Sequence, residues 1–222
     1  MWSCNKNVFL KIVMLAGVLG LAACSQTPVV QTGPDAEVIE GNLHRVDHSV
    51  ADKAYRDPAV KLTDYSAVIL EPLVMDNVEI VFDNTQNYRH KDWELDEKDK
   101  EGLQALFQKA FSSEQRFTLT DQPGPGVLKV TMTMTKLEPN APKDDFDSRP
   151  IGRSTYVTEG FGAMSVRVVM EDTQTGKVVA IMEDRQKTNG PYERNNSITN
   201  RQDIYRMFVV WASQISKGLE KQ

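Results

Sequence analysis

The side chains able to do chemistry are few, and their spacing decides what they could do. The chain of 222 residues has two cysteines, Cys4 and Cys24, and three histidines, His44, His48 and His90. A Ser–His nucleophilic pair needs a histidine on the folded part. Only His90 lies beyond Tyr65, and no Gly-x-Ser-x-Gly turn accompanies it. His44 and His48 are four apart near Asp47 and Asp52, which on a helix could hold a metal. No cysteine or further histidine lies close, so they read as solvated residues and no metal is expected. Asp144, Asp145 and Asp147 cluster beside Lys143 and Arg149. They offer oxygens to calcium but lack the glycine and distal glutamate of a calcium loop. There is no Gly-x-x-x-x-Gly-Lys loop for phosphates, and Gly160-Phe161-Gly162 reads as the exit of a loop into a strand. Carboxylate pairs for glycan hydrolysis are set in space rather than in sequence. A hydrolytic enzyme using acidic residues therefore stands as the alternative to a non-catalytic protein. No convergent set of roles assembles, so neither a catalytic residue nor a cofactor is expected.

Cys24 is different. It ends an apolar run of 12 residues, Ile12 to Ala23, preceded by a short polar start carrying Lys6 and by Lys11. Such a run is too short for a membrane span of about 20 residues and fits a secretory signal. Ala22 and Ala23 supply the small side chains that a signal peptidase needs. Leu21-Ala22-Ala23-Cys24 resembles the lipobox of bacterial lipoproteins. That resemblance implies diacylglycerol on the Cys24 thiol, cleavage before it, and acylation of the new amino terminus. Several chains on one residue give lasting anchorage, since each buried CH₂ contributes about 0.8 kcal/mol. Ser25 follows, where an aspartate would resemble an inner-membrane retention signal. The expectation is an outer-membrane anchor in a Gram-negative cell, with the protein facing the periplasm. Acylation also removes Cys24 as a thiol nucleophile. Cys4 leaves with the signal, so the mature chain has no disulfide and rests on packing.

The totals narrow the partners. The formal charge is −5, and losing Lys6 and Lys11 with a segment that has no acidic residue makes it more negative. A nucleic-acid partner is excluded on this ground, because affinity there comes from neutralising phosphates. Holding anionic head groups by charge alone is disfavoured for the same reason. The hydrophobic share of 40% is enough to bury a core.

Three segments must position these residues: a signal over 1–23, a lipidated start and polar tether over 24–60, and an α+β domain over 61–222. The tether is inferred from its prolines and glycines and its lack of apolar period. From Tyr65 the pattern tightens. Val68-Ile69-Leu70 predicts a buried strand ended by Pro72, and Val78, Ile80 and Phe82 hint at a second. Asp96 and Asp99 predict a capped helix burying Leu103, Leu106, Phe107, Ala110 and Phe111. A short strand over Phe117 to Thr120 leads to the Pro123–Gly126 turn. Leu128, Val130, Met132 and Met134 alternate with Lys129, Thr131, Thr133 and Thr135, a strand with one buried face. After a long loop from Glu138 to Gly160, Met164, Val166, Val168 and Met170 begin another strand. Asp172 to Lys177 predicts a hairpin turn, with Val179 opposing Met170 and Ile181 opposing Val168. That register leaves Val169, Val178, Ala180 and Met182 on an outer face that a partner, a second copy or the tether could cover. Thr199 and Gln202 suggest the start of a last helix burying Ile204, Phe208, Trp211, Ala212, Ile215 and Leu219. The sum predicts a mostly antiparallel sheet of four to six strands with two helices on one face.

Tyr65-Ser66-Ala67-Val68-Ile69-Leu70-Glu71-Pro72 and Glu171-Asp172-Thr173-Gln174-Thr175-Gly176-Lys177, with the lipobox and the final Trp-containing helix, resemble the bacterial lipoproteins of unknown function grouped as DUF3313. The resemblance covers Tyr65 to Leu219 and implies an envelope location and this fold, without an activity. Function falls to binding or assembly, with a purely structural spacer as a further alternative. The long loop is the predicted docking element for an envelope protein or a second copy. Its anchors are Asp144, Asp145, Phe146, Asp147, Ile151 and Tyr156.

Overall fold

The computed structural model describes residues 27–81, 94–141, 157–190 and 192–220. The predicted lipidation residue Cys24, its neighbour Ser25, and the loop residues Asp144, Asp145, Phe146, Asp147, Ile151 and Tyr156 lie outside the described residues.

The strands are β1 (Val29–Val30), β2 (Val38–Ile39), β3 (Leu43–Asp47), β4 (Lys53–Arg56), β5 (Ala67–Leu70), β6 (Glu79–Ile80), β7 (Thr118–Leu119), β8 (Val127–Pro139), β9 (Val157–Thr158), β10 (Gly162–Asp172), β11 (Val178–Lys187) and β12 (Glu193–Arg194). Ten form one sheet, ordered β1-β3-β4-β11-β10-β8-β5-β7 with β2 beside β3 and β6 beside β8, while β9 and β12 pair separately. Most pairs are antiparallel, and β5 and β6 run parallel to β8. Two helices, α1 (Glu97–Ser112) and α2 (Ser197–Leu219), complete the α+β fold.

The long strands follow their alternation. Leu128, Val130, Met132 and Met134 of β8 are fully buried with Val166 and Val168 of β10, beneath Phe107 and Phe111 of α1 and Phe208 and Trp211 of α2. The aromatic rings knit the helices together, with Phe107 and Phe208 edge-on at 5.5 Å. Asp96 caps α1 reciprocally with Asp99. The cap of α2 lies three residues ahead of the predicted Thr199: Asn196 accepts from the backbone N–H groups of Ile198 and Thr199. Asn also satisfies the first free amides of a helix, and the apolar stripe that located the helix starts later than its backbone does.

Three expectations need correction. The strands outnumber the predicted four to six because the sheet recruits the segment expected to be a tether. The tether prediction for 24–60 does not describe 29–56: β4 pairs with β11 through Met182↔Ala54 and Ala180↔Arg56, and β3 and β1 extend the sheet outward. Its strands have two to five residues, too short to show a period. Second, the predicted hairpin register holds only at the turn, where Asp172 N–H donates to Lys177 O. A bulge between Met170 and Glu171 then shifts the pairing to Met170↔Ala180 and Val168↔Met182, and one extra residue turns every later side chain over. Ala180 and Met182 therefore face the helices, while Ile181 joins Leu43 and Tyr55 in a small cluster on the other face. Third, the predicted strand near Val78 is only β6. The stretch 67–81 follows β8 as one interrupted edge, bridged by Val74 N–H to Met132 O and Met134 N–H to Val74 O. Pro72 has no N–H, so the edge breaks there.

Candidate functional site

Between the C-terminal end of α2 and strands β4 and β11, a groove of about 850 Å³ opens. Its floor is Met170 of β10 and Ala180 and Met182 of β11. One wall is Gln214, Ile215 and Gly218 of α2, another is Leu62 of the 3-10 turn Leu62–Asp64, and the third is Pro28, Val46, Val50 and Ala54 of the first strands. The bulge turns Ala180 and Met182 toward the helix side of the groove, which Tyr55 and Ile181 also border. Met182 and Met170 are unbranched and polarisable, side chains that adapt to an irregular apolar guest. The volume lies within the range of small-ligand pockets, roughly 300–1,000 Å³.

Two polar atoms in the lining are buried without a hydrogen-bond partner among the described residues, the donor Arg56 Nε and the acceptor Gln214 Oε1. Most buried polar atoms are paired, and an orphan marks a place where something polar belongs. Gln214 is held from its other end, where Nε2 faces Asp184 Oδ2 at 3.4 Å. Asp184 is a buried hub that accepts from Trp211 Nε1 at 2.8 Å, Gln186 Nε2 at 2.6 Å and the Asp52 N–H at 3.1 Å. It ties the hairpin of β3 and β4 to β11 and α2, and so fixes two walls of the groove against each other. The rim carries Lys61 and Lys217 with Asp64 and Glu220, charges of both signs. Tyr55, at the edge, donates its hydroxyl to Glu37 at 2.5 Å. That hydrogen bond, helped by burial, raises the phenol above its ordinary range.

The other sequence candidates do not converge. His44 lies on β3, its Nδ1 2.8 Å from Gln31 O, and Asp47 accepts from Gln31 Nε2 at 2.8 Å. His48 falls just past the end of β3 at φ 57°, and residues four apart on extended backbone stand about 13 Å from each other, too far to share a metal. No group of three His, Cys, Asp or Glu residues is placed to hold a metal among the described residues. In the Gly160–Gly162 segment, Phe161 N–H donates to Asp203 and Gly162 N–H to Thr188 Oγ1, so these two amides serve the fold. Among the described residues no helix is long and apolar enough to cross a membrane.

The groove residues escaped the sequence reading because they come from four separated stretches. Arg56 falls in the segment expected to be a tether, and Gln214 falls outside the predicted apolar stripe of the last helix. Only the position of the bulge, invisible in the alternation, brings Met182 under them.

The chain matches the family described as protein of unknown function (DUF3313) over residues 41–215. It belongs to that family. The match begins ahead of β3, so the DUF3313 unit includes strands expected to lie in the tether. None of the curated proteins compared matches this DUF3313 chain. Among solved structures, protein XCC0632 from Xanthomonas campestris, a DUF330 protein, is similar at 11% identity with a TM-score of 0.41, over 86% of this chain and 94% of that one. The PelC dodecamer from Paraburkholderia phytofirmans is similar at 10% identity with a TM-score of 0.36, over 76% and 96% of the two chains. The hypothetical protein CT253 from Chlamydia trachomatis is similar at 9% identity with a TM-score of 0.33, over 68% and 99%. At these levels none of the three assigns a ligand, partner or assembly to the DUF3313 chain.

Proposed function

We propose that this DUF3313 protein is a lipoprotein of the bacterial envelope, held at the periplasmic face of the outer membrane by acyl groups on Cys24, and that it acts by binding rather than by catalysis. The observation that carries the anchor is Leu21-Ala22-Ala23-Cys24 at the end of a 12-residue apolar run. Ser25, rather than an aspartate, after the cysteine supports outer-membrane sorting. Binding is supported by the groove, whose apolar floor and two unpartnered polar atoms suit recognition of a guest. The segment 144–156 remains the second proposed contact surface, for an envelope protein or a second copy.

The test replaces Cys24 with serine in cells fed labelled palmitate. The native protein is expected to take up label and to sediment with outer membranes, and Cys24→Ser to lose both. A variant that still carries label and still sediments there overturns the anchor. Deleting Asp144–Ile151 is expected to leave thermal unfolding unchanged and to weaken complexes captured by crosslinking in intact envelopes. Unchanged capture removes that segment from the proposal.

A further inference from the structure

The groove beside α2 opens where the described chain begins. Pro28 forms part of its wall, and Cys24 stands four residues ahead of Pro28. Four residues of extended chain reach at most about 14 Å, so any group carried by Cys24 starts within that distance of the groove. Val50, on the same wall, is an apolar residue left 68% exposed. The floor of Met170, Ala180 and Met182 presents carbon and sulfur, and the orphaned polar atoms are one donor and one acceptor, Arg56 Nε and Gln214 Oε1. A flexible hydrocarbon chain with an ester carbonyl and an amide N–H at one end satisfies every one of these features. The hydrocarbon would cover the floor, the carbonyl would accept from Arg56 Nε, and the amide would donate to Gln214 Oε1.

We infer that the groove is a seat for an acyl chain of this protein's own Cys24 lipid, an inference that rests on the lipid-anchor reading above. The anchor then has two resting places, the bilayer and the groove, and the protein can shelter part of its lipid from water when it is away from a membrane.

A photoactivatable fatty acid bearing a diazirine, fed to cells making the full chain, tests this directly. After illumination the protein is purified and digested, and the mass of the peptide beginning at Cys24 reports acylation before any crosslink is read. The expected result is a covalent link between that acylated peptide and peptides carrying Leu62, Met182 or Ile215. The link is expected to fall to background in Ala54→Trp, which fills the groove, with circular dichroism confirming that this variant folds. In Cys24→Ser the groove is untouched and the link is likewise expected to vanish. An acylated chain linked only to phospholipid, or to residues outside the groove, overturns the inference and leaves the anchor standing. Groove labelling that persists in Cys24→Ser overturns it too, because membrane phospholipid is then the occupant. A Cys24 peptide without acyl mass overturns the anchor and the inference together.

Discussion

At the scale of single residues, two polar contacts hold distant parts of the chain, and the two groups of the first make opposite demands on pH. Tyr65 donates its hydroxyl to Asp172 at 2.8 Å. Burial, reinforced by that carboxylate, pushes the phenol up to about 12. Burial pushes the Asp172 carboxyl up, but hydrogen bonds from Tyr65, Thr175 and Gln174 outweigh it and leave the carboxyl below its ordinary value. A depressed acid stabilises the fold above its unfolded pKa and loses that contribution as pH falls through its folded value. A raised phenol stabilises below its usual 10.0 and loses the contribution as pH climbs through about 12. Tyr65→Phe is therefore expected to cost about 1 kcal/mol near neutral pH. In urea unfolding the difference from the native chain should shrink below the carboxylate range and again above pH 10; a constant difference across pH would contradict it. Asp184 makes a sterner prediction. Its replacement by Ala leaves the buried Trp211 indole N–H and the Asp52 amide without acceptors, and is expected to cost about 3 kcal/mol. The loss should appear in urea unfolding together with a change in Trp211 fluorescence.

At the scale of elements, the register between long strands is set at two places where the chain departs from ideal alternation. Gly162 sits at φ 132°, and a Cβ there would lie 2.0 Å from Glu138 O across the pair. Gly162→Ala is expected to lose about 3 kcal/mol or more in thermal or urea unfolding, whereas Gly124→Ala, with open space around it, should change little. The central elements were legible because each advertises itself locally. The Asp96–Asp99 box starts α1, four alternating apolar positions make β8, and the 3.6-residue stripe of α2 runs to Leu219. The bulges were not legible. Thr135 in β8, where the pairing steps from Val166↔Met134 to Ser165↔Lys136, and Val179 in β11 carry residue types that fit a regular strand equally well. Their irregularity is imposed by partners across the sheet. The groove inherits that illegibility, since its floor is defined by the second bulge.

At the scale of the molecule, the first thirty described residues belong to the fold and do not merely lead to it. Leu43 is buried against Tyr55 and Ile181, and the Asp52 N–H donates to Asp184 across 132 residues of sequence. A chain beginning at Asp57 is expected to expose Ile181 and the free edge of β11, to lose its cooperative unfolding transition, and to bind a hydrophobic dye. An equally cooperative truncated chain would restore the tether. The sequence concealed this because the strands have only two to five residues, and the one that joins them to the long strands, β4, pairs with β11 more than a hundred residues away.

That pairing also orders events in time. Synthesis runs from the amino end, yet β4 has no neighbour on its inner side until β11 is made, and Asp184 cannot grip Trp211 until α2 follows. Long-range closure of this kind folds slowly, in milliseconds to seconds by the trend with contact order. Until then the early strands have only one another to pair with. For the export proposed above, that delay would be useful: the sheet would close only after its last third had arrived on the far side.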